Sequence, residues 1–169
     1  RHPAEKNPAR FLLFISFFPQ LIQGPINRYG AMEPQLTAAH SWEWERTKRA
    51  LFVILFGAMK KYAIANLTAP TIAAILDRND PTLAGSMALL AILLYSLQQY
   101  ADFSGGIDIV IGTAEIFGIR MDENFRQPFF SKSIGEFWRR WHISLSGWFR
   151  DYLYIPVSYT HLRAHETRG

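Results

Sequence analysis

The chain has 169 residues, 49% of them hydrophobic and 15% aromatic, and a formal net charge of +4. That length suits one domain, but neither figure separates a soluble core from a small membrane bundle, and a mean hydropathy near zero undervalues the Trp and Tyr that favour membrane interfaces. Having no cysteine excludes a disulfide framework, a thiolate metal site and a thiol nucleophile. The basic residues form short clusters beside apolar runs (Arg46 with Lys48 and Arg49, Lys60 with Lys61, Arg139 with Arg140). A nucleic-acid partner would need a continuous basic stripe, so none is expected. Such clusters fit a cytoplasmic membrane face, although solvated ends of soluble helices would read the same way.

In chain order, the opening RHPAEKNPAR is polar and proline-rich, lacks a signal-peptide pattern, and reads as an inter-helix loop entered midway, with the true N-terminus upstream. Residues 11–22, FLLFISFFPQLI, are apolar but broken by Pro19 and short of the roughly twenty residues a spanning helix needs. A re-entrant or interfacial segment is expected there. Gly24 and Pro25 then mark either a break at membrane depth or a plain surface turn. Residues 41–49, SWEWERTKR, suit an amphipathic entry into a long apolar helix over 50–65 that continues to about residue 76 past Pro70. Lys60 and Lys61 are expected to snorkel to lipid headgroups.

DRNDP at 77–81 is a hydrophilic turn, and 83–100 is an uncharged stretch that meets the length rule for a membrane span. A further span is predicted over 103–119, where Asp102, Asp108 and Glu115 interrupt an apolar background. In a membrane such carboxylates face a polar interior, whereas a soluble amphipathic helix would carry them outward. Six residues turn a helix through about 600°, so Asp102 and Asp108 converge only if Gly105 and Gly106 redirect the chain. Asp102 is therefore read as a polar anchor and Asp108 as structural. The Ser104, Gly105, Gly106 run lacks the Lys-Ser/Thr pair of a phosphate loop.

A polar connector over 121–132 leads into 133–156, SIGEFWRRWHISLSGWFRDYLYIP. Ser133 and Glu136 have capping-box spacing, so one helix is predicted through this stretch, with Trp138, His142, Leu145 and Phe149 on one face. A lone histidine on such a face is more often a core residue than a chemical one. From 158 the chain turns polar. SYTHLRAHET resembles a translated sequencing-library adapter, so 158–169 is expected to be foreign to the protein. His161 and His165 lack a third ligand or an HExxH pattern, and no metal site is expected.

WRRWHISLSGWFRDYLYIP, together with FFPQLIQGPINRY at 17–29 and YADFSGGIDIVIG at 100–112, resembles three ordered blocks of the membrane-bound O-acyltransferase family. The resemblance is to the branch that acetylates alginate or D-alanylates teichoic acid. It implies an all-α, multi-pass transmembrane bundle, represented here by a fragment over 1–157, in a bacterial inner membrane. The implied chemistry is transfer of an acyl group, with acetyl favoured, to hydroxyls of an extracytoplasmic polysaccharide such as alginate. The donor would be a thioester of coenzyme A or of an acyl carrier protein, used as substrate with no bound cofactor. Expected partners are lipids and an extracytoplasmic acetyltransferase. His142 takes the catalytic position as general base, kept neutral by burial among Trp138, Trp141 and Trp148. Gln20, Gly24, Arg28, Asp102 and Ser104 are expected to border the reaction chamber, with Trp138 and Trp141 along its wall. Arg150 and Asp151 either hold the donor's phosphates or pair with each other and with headgroups. The family's second, downstream histidine has no counterpart here, so the chain by itself is expected to be inactive. A membrane transport or channel fragment and a soluble helical binding module are the alternative readings.

Overall fold

The structure, a computed structural model, describes residues 5–76 and 85–158. The described residues are helical, apart from turns and one isolated bridge, in keeping with an all-α fold. The hydrophilic turn expected at 77–81, the start of the span expected over 83–100, and the tail from 159 onward lie outside the described residues. The chain divides into two compact units. One comprises the chain up to Gly24 with Tyr29–Met121, and the other Pro25–Arg28 with the chain from Asp122.

The first unit begins with α1, Pro8–Ile15, started by Asn7, whose side-chain oxygen accepts the Ala9 N–H at 3.0 Å, and by Pro8 in the first turn. A 3-10 turn, Phe18–Gln20, and α2, Tyr29–Thr37, follow. The 11–22 segment is thus a short helix and a turn, as its length required. Next comes one unbroken helical rod, Trp44–Leu76: α3 (Trp44–Ala58), a π-helical stretch (Met59–Ala65) and α4 (Asn66–Leu76). Among the described residues this is the one helix long and apolar enough to cross a membrane. It runs past Pro70, as read from the sequence.

Helix α5, Gly85–Ile116, has 32 residues and packs antiparallel to that rod. Two expectations fail here. The stretch 103–119 is not a separate span, because α5 passes through Gly105 and Gly106 without a break. Those glycines instead serve close approach. A Cβ on Gly105 would lie 2.6 Å from the Gly57 carbonyl oxygen, and one on Gly57 would lie 2.5 Å from that of Gly105. Small residues that let two backbones meet are the usual device of helix pairs in lipid. The second failure concerns the lysines. Lys60 pairs with Asp108, and Lys61 Nζ donates to Asp102 Oδ1 at 2.5 Å, so both ammonium groups turn inward to α5 and not to headgroups. A carboxylate on a neighbouring helix is a nearer partner than an interface, and pairing removes the cost of leaving either charge alone.

Near the other end of α5, Phe17, Met32, Ala114, Ile119 and Met121 form a buried cluster. Gln35 closes it by donating to the Arg120 carbonyl at 3.3 Å and accepting the Arg120 N–H at 2.8 Å. Many large apolar side chains on the outer faces, Leu51, Phe52, Leu55, Leu89 and Leu93 among them, remain exposed, and apolar surface of that extent marks an interaction face.

In the second unit a connector with a 3-10 turn, Pro128–Phe130, leads to α6 (Ile134–Arg140), α7 (Ile143–Phe149) and a π-helical turn (Arg150–Tyr154). The single helix expected over 133–156 is therefore broken at Trp141 and His142. The shared face of Trp138, His142, Leu145 and Phe149 goes with it.

Candidate active site

Helix α6 starts as its sequence dictates. Ser133 Oγ accepts the Glu136 N–H at 3.1 Å, and Glu136 reaches back to accept the Lys132 N–H at 2.8 Å. That backbone contact, foremost among its causes, holds the Glu136 carboxyl below its ordinary pKa. The helix ends where Trp141 turns extended, with φ −102° and ψ 128°. Trp141 forms an antiparallel bridge with Phe125, and the Arg126 N–H donates to the Arg140 carbonyl at 2.9 Å. Its indole stacks on Phe137, with centroids 5.5 Å apart, and takes the Phe125 ring edge-on at 5.1 Å. Trp141 is the aromatic anchor of the turn. Trp138 is 56% exposed, and Trp148 stacks on Tyr152 at 5.5 Å, so the three tryptophans do not form a single wall.

His142 follows at φ 45°, ψ 55°, in the left-handed region, and opens α7. An ordinary N-cap has extended backbone and satisfies the next N–H groups with its own side chain; left-handed His142 does neither. Asn124 does so from across the turn. Its carbonyl accepts the Ile143 N–H and its side-chain Oδ1 accepts the Ser144 N–H, each at 3.0 Å. The half-buried imidazole has its pKa lowered from the ordinary histidine value, chiefly by desolvation. It is therefore neutral near pH 7 and able to accept a proton.

Beside this turn the unit carries an arginine network. Arg28 donates to Asp151 Oδ2 at 2.8 Å and to the Gly147 carbonyl at 3.3 Å, and its guanidinium lies 4.6 Å from the Tyr152 ring centroid. Arg150 Nε donates to Asp151 Oδ1 at 2.9 Å, which is the main reason the Asp151 carboxyl sits below its usual pKa. Arg150 and Asp151 thus pair with each other. A cleft of about 270 Å³ opens here, lined among others by Arg28, Arg126, Arg150, Glu123, Ser144 and Asp151.

The remaining expected residues belong to the first unit. Gln20 Nε2 donates to the Phe14 carbonyl at 2.7 Å, and Gly24 folds so tightly over Gln20 that a Cβ would lie 2.5 Å from its Cα. Ser104 is buried on α5, next to Gly105, and Asp102 is held by Lys61. A cleft of about 290 Å³ in this unit is bordered by Lys61, Tyr62, Gly106 and Gln23, the last of which covers Gly106. The sequence reading missed Asn124, Gln23 and the inward role of Lys61. Only Gln23 carried a signal, through its place in the 17–29 block. No group of three His, Asp or Glu gathers as metal ligands among the described residues.

The model of the family described as "MBOAT, membrane-bound O-acyltransferase family" matches residues 4–167. The chain belongs to the membrane-bound O-acyltransferase family. The Azotobacter vinelandii protein named as a probable alginate O-acetylase AlgI is 42% identical over 155 residues, covering 92% of this chain and 30% of that protein. A peptidoglycan O-acetyltransferase of Helicobacter pylori is 40% identical over 149 residues, 87% of this chain and 28% of its own length. A teichoic acid D-alanyltransferase of Bacillus subtilis is 36% identical over 159 residues, 86% of this chain and 37% of its own length. The chain thus spans about a third of the length of these membrane-bound O-acyltransferase relatives. Membership of a membrane-bound family accounts for the exposed apolar faces of α3 and α5.

Proposed function

We propose that the full-length protein carrying this chain is a membrane-embedded O-acyltransferase. In this reading it moves an acyl group, acetyl by preference, from a thioester donor toward hydroxyls of an extracytoplasmic polysaccharide such as alginate. The observation that carries the reading is His142, a half-buried imidazole fixed in a left-handed turn within the chain that matches the family. A strained turn kept at a titratable residue is a common mark of a working site.

In the proposed step, the His142 imidazole takes the proton of the acceptor hydroxyl as its oxygen bonds to the thioester carbonyl carbon. Collapse of the tetrahedral adduct breaks the carbon–sulfur bond, and the imidazolium returns the proton to the leaving thiolate. Arg28, which donates both to the Gly147 carbonyl and to Asp151, ties the π-helical turn Arg150–Tyr154 to α7, and Arg150 pairs with Asp151 within that turn. Coenzyme A or an acyl carrier protein is the proposed donor, and lipids and an extracytoplasmic acetyltransferase are the proposed partners. A multi-pass position in a bacterial inner membrane completes the reading.

The test uses the full-length protein in membranes, with labelled acetyl-coenzyme A and deacetylated alginate as probes. Wild type should transfer label, and His142→Asn should reduce transfer by about 10² to 10⁴-fold, the usual worth of a general base. Wild-type turnover in His142→Asn would reject the chemistry.

A further inference from the structure

We infer that Asn124 is the positioning residue of His142, holding the imidazole in place by capping α7 from outside the helix. The inference rests on the reading of His142 as base. Asn124 is 1% exposed, among the most buried polar side chains of the described residues, and it lies in a connector, where polar side chains usually face water. Its two acceptors serve the first two N–H groups of α7, those of Ile143 and Ser144, each at 3.0 Å. The Arg126 N–H bonds to Arg140 on the other side of the turn. The segment 124–126 therefore grips the chain on both sides of Trp141 and His142.

This grip explains why His142 stays left-handed. A residue with a Cβ relaxes out of that region unless its neighbours over-determine it. The Trp141 bridge fixes the backbone before His142 and Asn124 fixes it after, so His142 has no freedom to return to a continuous helix. The division of labour within the amide is specific. Oδ1 carries the Ser144 bond, whereas the buried Nδ2 makes no hydrogen bond to any described residue. The acceptor is the working half, and removing the donor should cost little.

The prediction therefore separates two substitutions of similar size in the full-length protein. Asn124→Asp keeps the acceptor, discards the donor and adds a carboxylate charge that faces the first N–H groups of α7, where negative charge is favoured; Asn124→Leu discards both acceptor and donor. With acetyl-coenzyme A and deacetylated alginate as probes, Asn124→Leu should lower kcat about 30- to 300-fold with KM within threefold. Asn124→Asp should stay within tenfold of wild type. Because Asn124 acts through His142, the double variant Asn124→Leu, His142→Asn should be no slower than His142→Asn alone. Elution as a monodisperse species in detergent checks that each variant is folded, and Asn124→Ala substitutes for Leu if the larger side chain prevents insertion.

Three results would overturn the inference: an unchanged kcat in Asn124→Leu, an equal loss in Asn124→Asp, or a further multiplicative loss in the double variant. Full turnover in His142→Asn would be a different failure. It would remove the base itself, and the assignment of Asn124 would fall with it.

Discussion

His142 and Gln127 are the two described non-glycine residues with positive φ, and His142 combines that backbone with a partly desolvated ring. The combination decides which replacement is informative. Glutamine preserves volume but resists the left-handed region; asparagine tolerates it, so His142→Asn should keep the turn while removing the base. It also fixes a sign. Burial lowers the folded pKa below the ordinary value of about 6.5, so between the two values the unfolded chain binds more protons. The contribution of His142 to stability is complete above about pH 6.5 and is lost as pH falls through the folded pKa. Melting temperatures measured from pH 7.5 to 5 should fall less steeply in His142→Asn than in wild type. The acid limb of kcat/KM in wild type should lie below the ordinary histidine pKa. An acid limb above pH 6.5 would contradict the burial argument.

At the scale of elements, the crossing of α3 and α5 depends on having no side chain at two points. Gly105→Ala puts a carbon 2.6 Å from a backbone oxygen of the facing helix, and backbone cannot step aside cheaply. A loss of about 1 to 3 kcal/mol is expected, the usual cost of overpacking. Gly147→Ala, inside α7 with nothing within 4 Å of its Cβ, should instead be neutral or gain up to about 1 kcal/mol from helix propensity. Thermal unfolding in detergent compares the two, and equal effects would refute the close crossing. These elements also show where sequence reading succeeds. The rod Trp44–Leu76 was legible as sustained apolar length, and the start of α6 as Ser133 and Glu136, because both signals are local. The break at His142 was not. Its cause, Asn124, lies 18 residues upstream, and nothing in WRRWHISLS itself departs from helical spacing. Lys60 and Lys61 were misread for a similar reason, since their partners sit on another helix.

For the whole chain, the exposed apolar surfaces and the family's membrane-bound character predict that the full-length protein stays in the pellet after carbonate extraction. Release into the supernatant would overturn that. The membrane crossing that the proposed function calls for, taken through the rod, adds a prediction about depth. At about 1.5 Å per residue its 33 residues reach roughly 50 Å, against a hydrocarbon layer of about 30 Å. Ordinary tilts of about 20° remove only a few ångströms, so one end must overhang. The overhang belongs to the end carrying Arg46, Lys48, Arg49 and Glu115, whose charges are served by water. Counting some twenty residues back from Leu76 reaches the neighbourhood of Gly57. The Lys60–Asp108 and Lys61–Asp102 pairs then lie in the last turns of hydrocarbon, close to headgroup level, where an ion pair costs far less than at the midplane. With no native cysteine in the chain, single substitutions can read this depth directly. A membrane-impermeant maleimide applied from one side should label Glu45→Cys and Phe117→Cys together and spare Leu67→Cys and Ile92→Cys. Equal labelling at Leu67 and Glu45 would place the rod outside the bilayer.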